Sequence, residues 1–151
     1  MPKSSAGLLL YRRRGGELEV LLVHPGGPFW RNKDLGAWSI PKGEVEQGED
    51  PLTVARREFE EETGTPAEGP AIDLGSIRQA GGKLVRAWAL EGDLDPTAIR
   101  SNTFTLEWPP GSGKLARFPE VDRAEFFGLS AAKAKLNPGQ VPFLERLADT
   151  G

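Results

Sequence analysis

Three glutamates near the middle of the chain have a type and a spacing that suit metal chemistry. Glu58, Glu61 and Glu62 lie in the segment 57–64, REFEEETG. On a helix, the spacings i, i+3 and i+4 bring their carboxylates to one face, where like charges repel each other. Carboxylate oxygens suit hard divalent cations, and Mg²⁺ binds a few carboxylates while keeping positions open for water and phosphate. The segment therefore predicts a divalent-metal site, with Glu60 off this face and solvated.

The loop before this segment contains residues that could support the site. Arg57 directly precedes the glutamates, and Glu49 is an upstream acid with which it can pair. Such a pair would hold residues 43–49 against the helix. Gly43 and Gly48 allow sharp backbone turns, and the Gly43 carbonyl could be a further metal ligand.

A glutamate-rich helix can also be an ordinary solvated surface, and the wider spacing decides between the two interpretations. Gly43, Glu49 and the run from Arg57 to Gly64 follow the pattern Gly-x5-Glu-x7-Arg-Glu-U-x-Glu-Glu-x-Gly-U, where U is a bulky apolar residue. This pattern resembles the signature box of the Nudix hydrolase family. Only the final U position departs from it, because this chain has Thr65 there.

The resemblance implies an activity and a role for each box residue. Nudix proteins typically cleave nucleoside diphosphates linked to a further group, and they need a divalent metal, usually Mg²⁺ or Mn²⁺. The resemblance makes Glu58, Glu61 and Glu62 metal ligands together with the Gly43 carbonyl. Glu58 or a neighbouring box carboxylate would orient or deprotonate the attacking water.

The resemblance also concerns residues around these ligands. It makes Glu49 and Arg57 the structural pair of the catalytic box. The general base of the family does not always lie in the box, so Glu107 and Glu120 are candidates for the base or for a further ligand.

The sequence before the box bears on the substrate. Trp38, two residues, then Pro-Lys-Gly is similar to the dinucleoside polyphosphate hydrolases, which act on diadenosine tetraphosphate and related molecules. Lys42 can meet a phosphate as a point charge. His24, the single histidine, follows a predicted strand and is a candidate for contacting phosphate or assisting protonation. Lys42, His24 and Trp38 are therefore the predicted substrate-binding residues.

Other functions compete with this hypothesis. One is a house-cleaning hydrolase of non-standard nucleoside triphosphates, and another is a non-catalytic binding module with the same fold. The intact box argues against the second. In the dinucleoside polyphosphate hydrolases that the chain resembles, the base-stacking residues are often tyrosines, but Tyr11 is the single tyrosine of this chain. Candidates to stack on a base in their place are Trp30, Trp88, Phe104 and Trp108.

Several elements must position these residues. Asp50 as N-cap, Pro51 as first residue and Gly64 as stop predict a helix. Strand-like segments lie on both sides of Gly15–Gly16 and on both sides of Gly81–Gly82. Each glycine pair therefore predicts the turn of a hairpin. Further segments predict a strand or an ordered loop in TFTLEW, and a strand end and a short helix in EVDRAEFFGLSAAKAKL. A closing helix is predicted in NPGQVPFLERLADT, with Phe143, Leu144 and Leu147 facing the core. Strands alternating with few helices indicate an α/β (α+β) fold in which a mixed sheet lies between helices.

Composition limits the remaining possibilities. The 151 residues suit a single domain over 1–151, and the net charge of −3 gives no reason to expect binding to nucleic acid or to an anionic membrane. The partner that the resemblance implies is a small-molecule nucleotide substrate. The chain has no cysteine, which excludes thiolate chemistry. Without a signal-peptide pattern or a long apolar run, we expect a cytoplasmic protein. The oligomeric state cannot be read from the sequence.

Overall fold

The computed structural model describes residues 4–150, so the predicted single domain over 1–151 extends beyond the described residues at both ends. The strands are β1 (Ser4–Arg14), β2 (Glu17–Pro25), β3 (Lys42–Glu44), β4 (Ala71–Arg78), β5 (Leu84–Glu91), β6 (Thr103–Glu107), β7 (Leu115–Pro119) and β8 (Val121–Gly128). The α-helices are α1 (Pro51–Thr63), α2 (Leu129–Lys135) and α3 (Val141–Thr150). Single 3₁₀ turns occupy Ala80–Gly82, Pro96–Ala98 and Pro138–Gln140.

Six strands form one mixed sheet in the order β4-β5-β1-β2-β8, with β3 also paired to β1. The β1–β5 pair is parallel and the other pairs of this sheet are antiparallel. The edge of β1 that faces away from β5 changes partner along its length. It pairs with β3 over residues 5–7 and with β2 over residues 11–14, so the sheet forks between β2 and β3.

Residues 39–41 close this fork with backbone hydrogen bonds. The Leu8 N–H donates to the Pro41 carbonyl at 3.1 Å, and the Val23 N–H donates to the Ser39 carbonyl at 2.8 Å. The start of β3 is therefore tied to both neighbouring strands.

The two faces of the sheet bury separate apolar cores, because successive side chains of a strand point to opposite sides. Leu8 and Leu10 pack with α1, whereas Leu9 packs with α2 and α3. The predicted mixed sheet between helices is confirmed. The residues of α3 expected in the core, Phe143, Leu144 and Leu147, are buried.

The segment after β5 differs from the sequence prediction. TFTLEW forms β6 as expected, but it pairs with β7 in a separate two-stranded sheet. Strand β7 was not predicted, because LARFP is short, follows a Gly-rich turn and ends in Pro119, which has no N–H to donate to a sheet. Among residues 4–150, no helix is long and apolar enough to cross a membrane.

Candidate metal and substrate site

Helix α1 carries the glutamates, and the predicted residues fix both of its ends. The Asp50 carboxylate accepts a hydrogen bond from the Thr53 N–H at 3.1 Å, and Pro51 begins the helix. Gly64 ends it with a φ of 81°, and its N–H donates to the Glu60 carbonyl at 2.7 Å. The predicted start and stop are confirmed. Together they fix the position of each glutamate along the sheet.

The buried face of α1 sets its rotation. This face packs on the sheet, and the neighbouring arc of the helix turns Glu58 and Glu62 toward β3. A Cβ built on Gly43 would overlap the Glu58 carboxyl group, so Glu58 occupies the space that a side chain would take. The Lys42 N–H donates to Glu62 Oε2 at 3.1 Å. The buried residues of α1 are Val54, Ala55, Phe59 and Thr63.

Burial perturbs the acidity of both glutamates. Burial, followed by repulsion from Glu58, raises the pKa of Glu62 to about 8. Burial, followed by the charge of Glu61, raises the pKa of Glu58. Glu58 and Glu62 lie close together and both resist ionisation. A positive charge bound between them would therefore be strongly stabilised.

The donor set suits a divalent cation that prefers oxygen ligands. A cavity of about 420 Å³ is lined by carboxyl groups, the Gly43 backbone and one amide. Among the described residues, no three acidic or imidazole side chains are already arranged around a single point, so the ligands would converge by side-chain rotation on binding. The lining residues are Lys42, Gly43, Glu44, Glu58, Glu62, Asn102 and Glu120.

The remaining box acids differ in position. Glu61 is exposed and lies outside this lining, although its charge acts on Glu58. Its predicted role as a metal ligand therefore stays a prediction. Glu60 is exposed, which agrees with the solvated position expected for it.

The predicted Glu49–Arg57 pair is present. Arg57 Nη1 donates to Glu49 Oε2 at 2.7 Å, and Glu49 Oε1 accepts from the Glu46 N–H at 2.9 Å. The Arg57 guanidinium holds the pKa of Glu49 below its usual value. The pair ties the loop before α1 to the helix, and Arg57 Nη2 also lies 3.9 Å from Glu58 Oε1.

The two acids proposed outside the box have different positions. Glu120, between β7 and β8, lines the cavity, and its charge contributes to the raised pKa of Glu58 and Glu62. Glu107 instead accepts a hydrogen bond from the Gly111 N–H at 2.7 Å in its own hairpin turn. We therefore keep Glu120 as a candidate base or ligand and discard Glu107.

His24 does not face the substrate cavity. The residue is 0% exposed, with Nδ1 at 2.8 Å from Asp122 Oδ1 and Nε2 at 2.6 Å from the Lys33 carbonyl oxygen. Both ring nitrogens are therefore occupied by the protein. The prediction that His24 contacts phosphate is corrected to a structural role, in which it joins β2 to the following loop and to β8.

Trp38 is also a structural residue. Its side chain is 1% exposed, its Nε1 donates to Asp34 Oδ1 at 2.8 Å, and its ring packs edge-on against His24 and Phe127. Trp38 forms part of the floor of a neighbouring cavity, but a stacked substrate would need an exposed ring face. Its predicted role in binding substrate is corrected to supporting this floor.

Lys42 lies between two adjoining cavities. It lines the acidic cavity and a second one of about 260 Å³, and Glu62 and Glu120 also border both. Burial, followed by the charge of Lys83, lowers the pKa of Lys42. A desolvated ammonium group beside the carboxylates is suited to meeting a phosphate, as predicted for Lys42.

Several polar residues of the second cavity were missed by the sequence reasoning. Gln140 is 1% exposed, and its Oε1 accepts from the Ile40 N–H at 3.0 Å, which fixes the backbone just before β3. Gln79 and Asn137 also line this cavity. These amides come from distant parts of the chain and belong to no motif, so no local signal could have identified them.

The mixed sheet between helices and the glutamates of α1 facing β3, with Glu58 packed on Gly43, are the features of the Nudix class of proteins. The model of the NUDIX domain family matches residues 1–147, and the chain belongs to this family. The resemblance found in the sequence is thereby confirmed.

Individual relatives are more varied. The chain is 33% identical over 109 residues to an octanoyltransferase of Myxococcus xanthus, covering 72% of this chain and 26% of that protein. It is 42% identical over 67 residues to an RNA pyrophosphohydrolase of Rhodospirillum rubrum, and the match covers 42% of this chain and 38% of that protein. It is 37% identical over 68 residues to an asymmetrical bis(5'-nucleosyl)-tetraphosphatase of Caenorhabditis elegans, covering 45% of each protein. The matches thus span between about a quarter and about a half of these relatives.

Two solved structures show the same fold. A C. elegans Ap4A hydrolase in a binary complex has a TM-score of 0.66 and 23% identity, over 98% of this chain and 96% of that one. The NUDIX domain of Shewanella oneidensis NrtR, complexed with ADP ribose, has a TM-score of 0.69 and 16% identity, over 99% of this chain and 88% of that one.

Proposed function

We propose that this chain is a divalent-metal-dependent hydrolase of a pyrophosphate linkage in a small nucleotide, with a dinucleoside polyphosphate such as diadenosine tetraphosphate as the leading substrate. The observation that carries the proposal is the packing of the Glu58 carboxyl group against Gly43 in a cavity where Glu62 accepts a hydrogen bond from the Lys42 N–H. Membership of the Nudix family supports the reaction class. The relatives named as a tetraphosphatase and an Ap4A hydrolase support the leading substrate.

Glu58 and Glu62, with Glu61 and the Gly43 carbonyl, would hold the metal. A divalent cation bound there would neutralise phosphate charge and align the substrate; Mg²⁺ is the proposed ion, with Mn²⁺ as the alternative.

The other residues would prepare the linkage for attack. The Lys42 ammonium would pair with a phosphate oxygen and hold the polyphosphate along the boundary between the two cavities. Glu120 enters the acidic cavity from the β7–β8 turn, independently of α1, and would accept the proton of the attacking water. The Glu49–Arg57 pair would keep the loop and α1 in register.

A second candidate substrate is the 5' end of RNA, because one relative is named an RNA pyrophosphohydrolase. The net charge of −3 favours the small nucleotide. The two candidates place a pyrophosphate linkage in the same cavity and differ in what extends beyond it. A cytoplasmic location, expected from the sequence, stays a prediction.

A substrate panel with product analysis tests the proposal. Purified protein would be incubated, with Mg²⁺ or Mn²⁺, with diadenosine polyphosphates, nucleoside triphosphates, nucleotide sugars and 5'-triphosphorylated RNA. Release of ATP and AMP from diadenosine tetraphosphate is the expected result. Preferential release of pyrophosphate from RNA would select the second candidate, and activity that persists in excess chelator would contradict the proposed chemistry.

A further inference from the structure

The second cavity continues from the acidic one and is suited to a different part of a substrate. Lys42, Glu62 and Glu120 form the shared boundary. The rest of its lining is apolar and amide-bearing, without further acids among the described residues. Its volume of about 260 Å³ is near the lower end of ligand pockets, which fits one moiety better than a whole dinucleotide.

One aromatic ring at this cavity is available to a ligand. Trp30 and Trp38 are the described aromatic residues of the lining, and they differ in exposure. Trp30 is 40% exposed, whereas Trp38 is 1% exposed. Lys33 Nζ lies over the Trp30 ring at 5.4 Å from its centroid, so a ligand would stack on the opposite face of this ring. An exposed tryptophan costs free energy in water, since its large apolar ring remains hydrated. When a flat ligand covers such a ring at the mouth of a cavity, the ring is removed from water, and this favours binding of the ligand.

The loop that carries Trp30 is held in place from both sides. The Lys33 N–H donates to the Trp30 carbonyl at 3.0 Å, and the Lys33 carbonyl is bound by the buried His24 ring. On the outer side, Phe29 packs edge-on against Trp108 of the β6–β7 hairpin, with ring centroids 5.6 Å apart. The ring is therefore presented by an anchored loop, which lowers the entropy lost on binding a ligand.

We propose that Trp30 is the platform on which the nucleobase of the substrate stacks. This inference rests on the proposed function, because it assumes that a phosphate of the same molecule meets Lys42. The geometry points to a nucleobase rather than an alkyl group, since Gln79 and Asn137 bring amide groups to the same cavity. The Asn137 Oδ1 accepts from the Gly139 N–H at 2.9 Å, which fixes this amide at the cavity wall. Stacking on one exposed ring is tolerant of base identity, so purines of either kind would bind.

Binding of AMP and of ribose 5-phosphate separates the base from the rest of the ligand. The two differ only by the base, and neither contains a pyrophosphate linkage, so their affinities can be measured by calorimetry without hydrolysis. We expect wild-type protein to bind AMP at least about tenfold more tightly than ribose 5-phosphate. The same preference is expected for GMP.

Three variants test whether Trp30 causes this preference. Trp30→Ala removes the platform and should abolish the preference, leaving the affinity for ribose 5-phosphate unchanged. Trp30→Phe keeps a smaller ring and should retain part of it. Leu35→Ala is the matched control, because Leu35 is 72% exposed in the same loop and lies outside the cavity lining. Circular dichroism melts would establish that all three fold.

Either of two results overturns the inference. One is a wild-type protein that does not distinguish AMP from ribose 5-phosphate, and the other is a folded Trp30→Ala variant that keeps the preference. Failure of the proposed hydrolase function would be seen separately, as absence of turnover on the substrate panel. Turnover with an unchanged AMP preference in Trp30→Ala would reject the stacking role alone.

Discussion

The acidic cavity and the neighbouring cavity share a boundary but are built in different ways. The acidic cavity takes its main groups from β3 and α1, which are close in sequence and packed rigidly on the sheet. The neighbouring cavity takes Trp30 from a loop, Gln79 from the β4–β5 connection and Asn137 from the segment before α3. In the proposed function, the metal-binding carboxylates thus lie on a helix that packs on the sheet, whereas the proposed base Glu120 and the residues proposed to contact the rest of the substrate lie on connections between elements.

The largest expected effect comes from the acidic cavity. Glu62→Gln keeps an oxygen that can accept from the Lys42 N–H, but it removes one negative charge from the proposed metal site. We expect kcat/KM to fall by about a thousandfold, because charge neutralisation by the metal contributes several kcal/mol to catalysis. Glu60→Gln is the matched control on the same helix, and its activity should stay within about twofold of wild type. Equal activity of the two variants would contradict the assignment.

Glu62 should also make the folding stability of the metal-free protein depend on pH. The pKa of Glu62 is raised to about 8 in the folded state, so the folded state binds more protons than the unfolded chain between the ordinary pKa of a glutamate and that value. Stability should therefore be highest below this window and fall as pH rises through it, by at most a few kcal/mol. Denaturant melts of the chelated protein at pH 5 and pH 8 would show the loss. Glu62→Gln should flatten this profile, and Mg²⁺ should stabilise wild type more at pH 8 than at pH 5.

Gly43 tests how closely the helix must approach β3. A methyl group in Gly43→Ala would overlap the Glu58 carboxyl group, so either the side chain or the helix must move. We expect destabilisation of about 1–3 kcal/mol and a loss of activity of about a hundredfold. Gly128→Ala, where an added Cβ meets no atom within 4 Å, is the control that should change little. A fully active Gly43→Ala protein would show that this close contact is dispensable.

A smaller loss of activity is expected when a contact that supports the acidic cavity is removed. Arg57→Ala leaves the metal ligands in place but removes the 2.7 Å bond to Glu49. Loss of such a supporting contact should weaken metal affinity or activity by about 10–100-fold. Titration of activity with Mg²⁺ would separate weaker metal affinity from weaker intrinsic activity. If Arg57 positions the metal site, the activity of the variant should partly recover at high Mg²⁺ concentration. Identical Mg²⁺ dependence in variant and wild type would contradict that role.

The smallest expected effect comes from the loop of the second cavity. Phe29 is 59% exposed and contacts Trp108, so Phe29→Ala loosens the support of Trp30 without touching either cavity lining. An aromatic pair of this kind contributes about 0.5–1.5 kcal/mol. We expect KM to rise a few-fold while kcat stays unchanged, as measured by steady-state kinetics. A large fall in kcat would mean that the loop takes part in the chemical step.

The contrast between the cavities also explains what the sequence could predict. Helix α1, its caps and the Glu49–Arg57 pair follow from local spacing, because residues within a turn or one short loop have few possible arrangements. The position of Glu120 could not be derived, since it depends on how the β7–β8 turn packs against α1. His24 and Trp38 were misassigned for a related reason: a polar or aromatic residue near a motif can face the core, and only the packing of β2 and β8 determines this.

The forked edge of β1 has a consequence for redesigning the protein. Residues 27–36, most of them exposed, connect β2 on one arm of the fork to the largely buried segment 37–41, which leads into β3 on the other arm. Both arms are anchored to β1. A different loop could be grafted between these anchors while the Gly43–Glu58 contact is held by β1, β3 and α1. The molecule is therefore modular at this point, and exchange of one surface segment offers a route to new ligand preference that leaves the carboxylates unchanged.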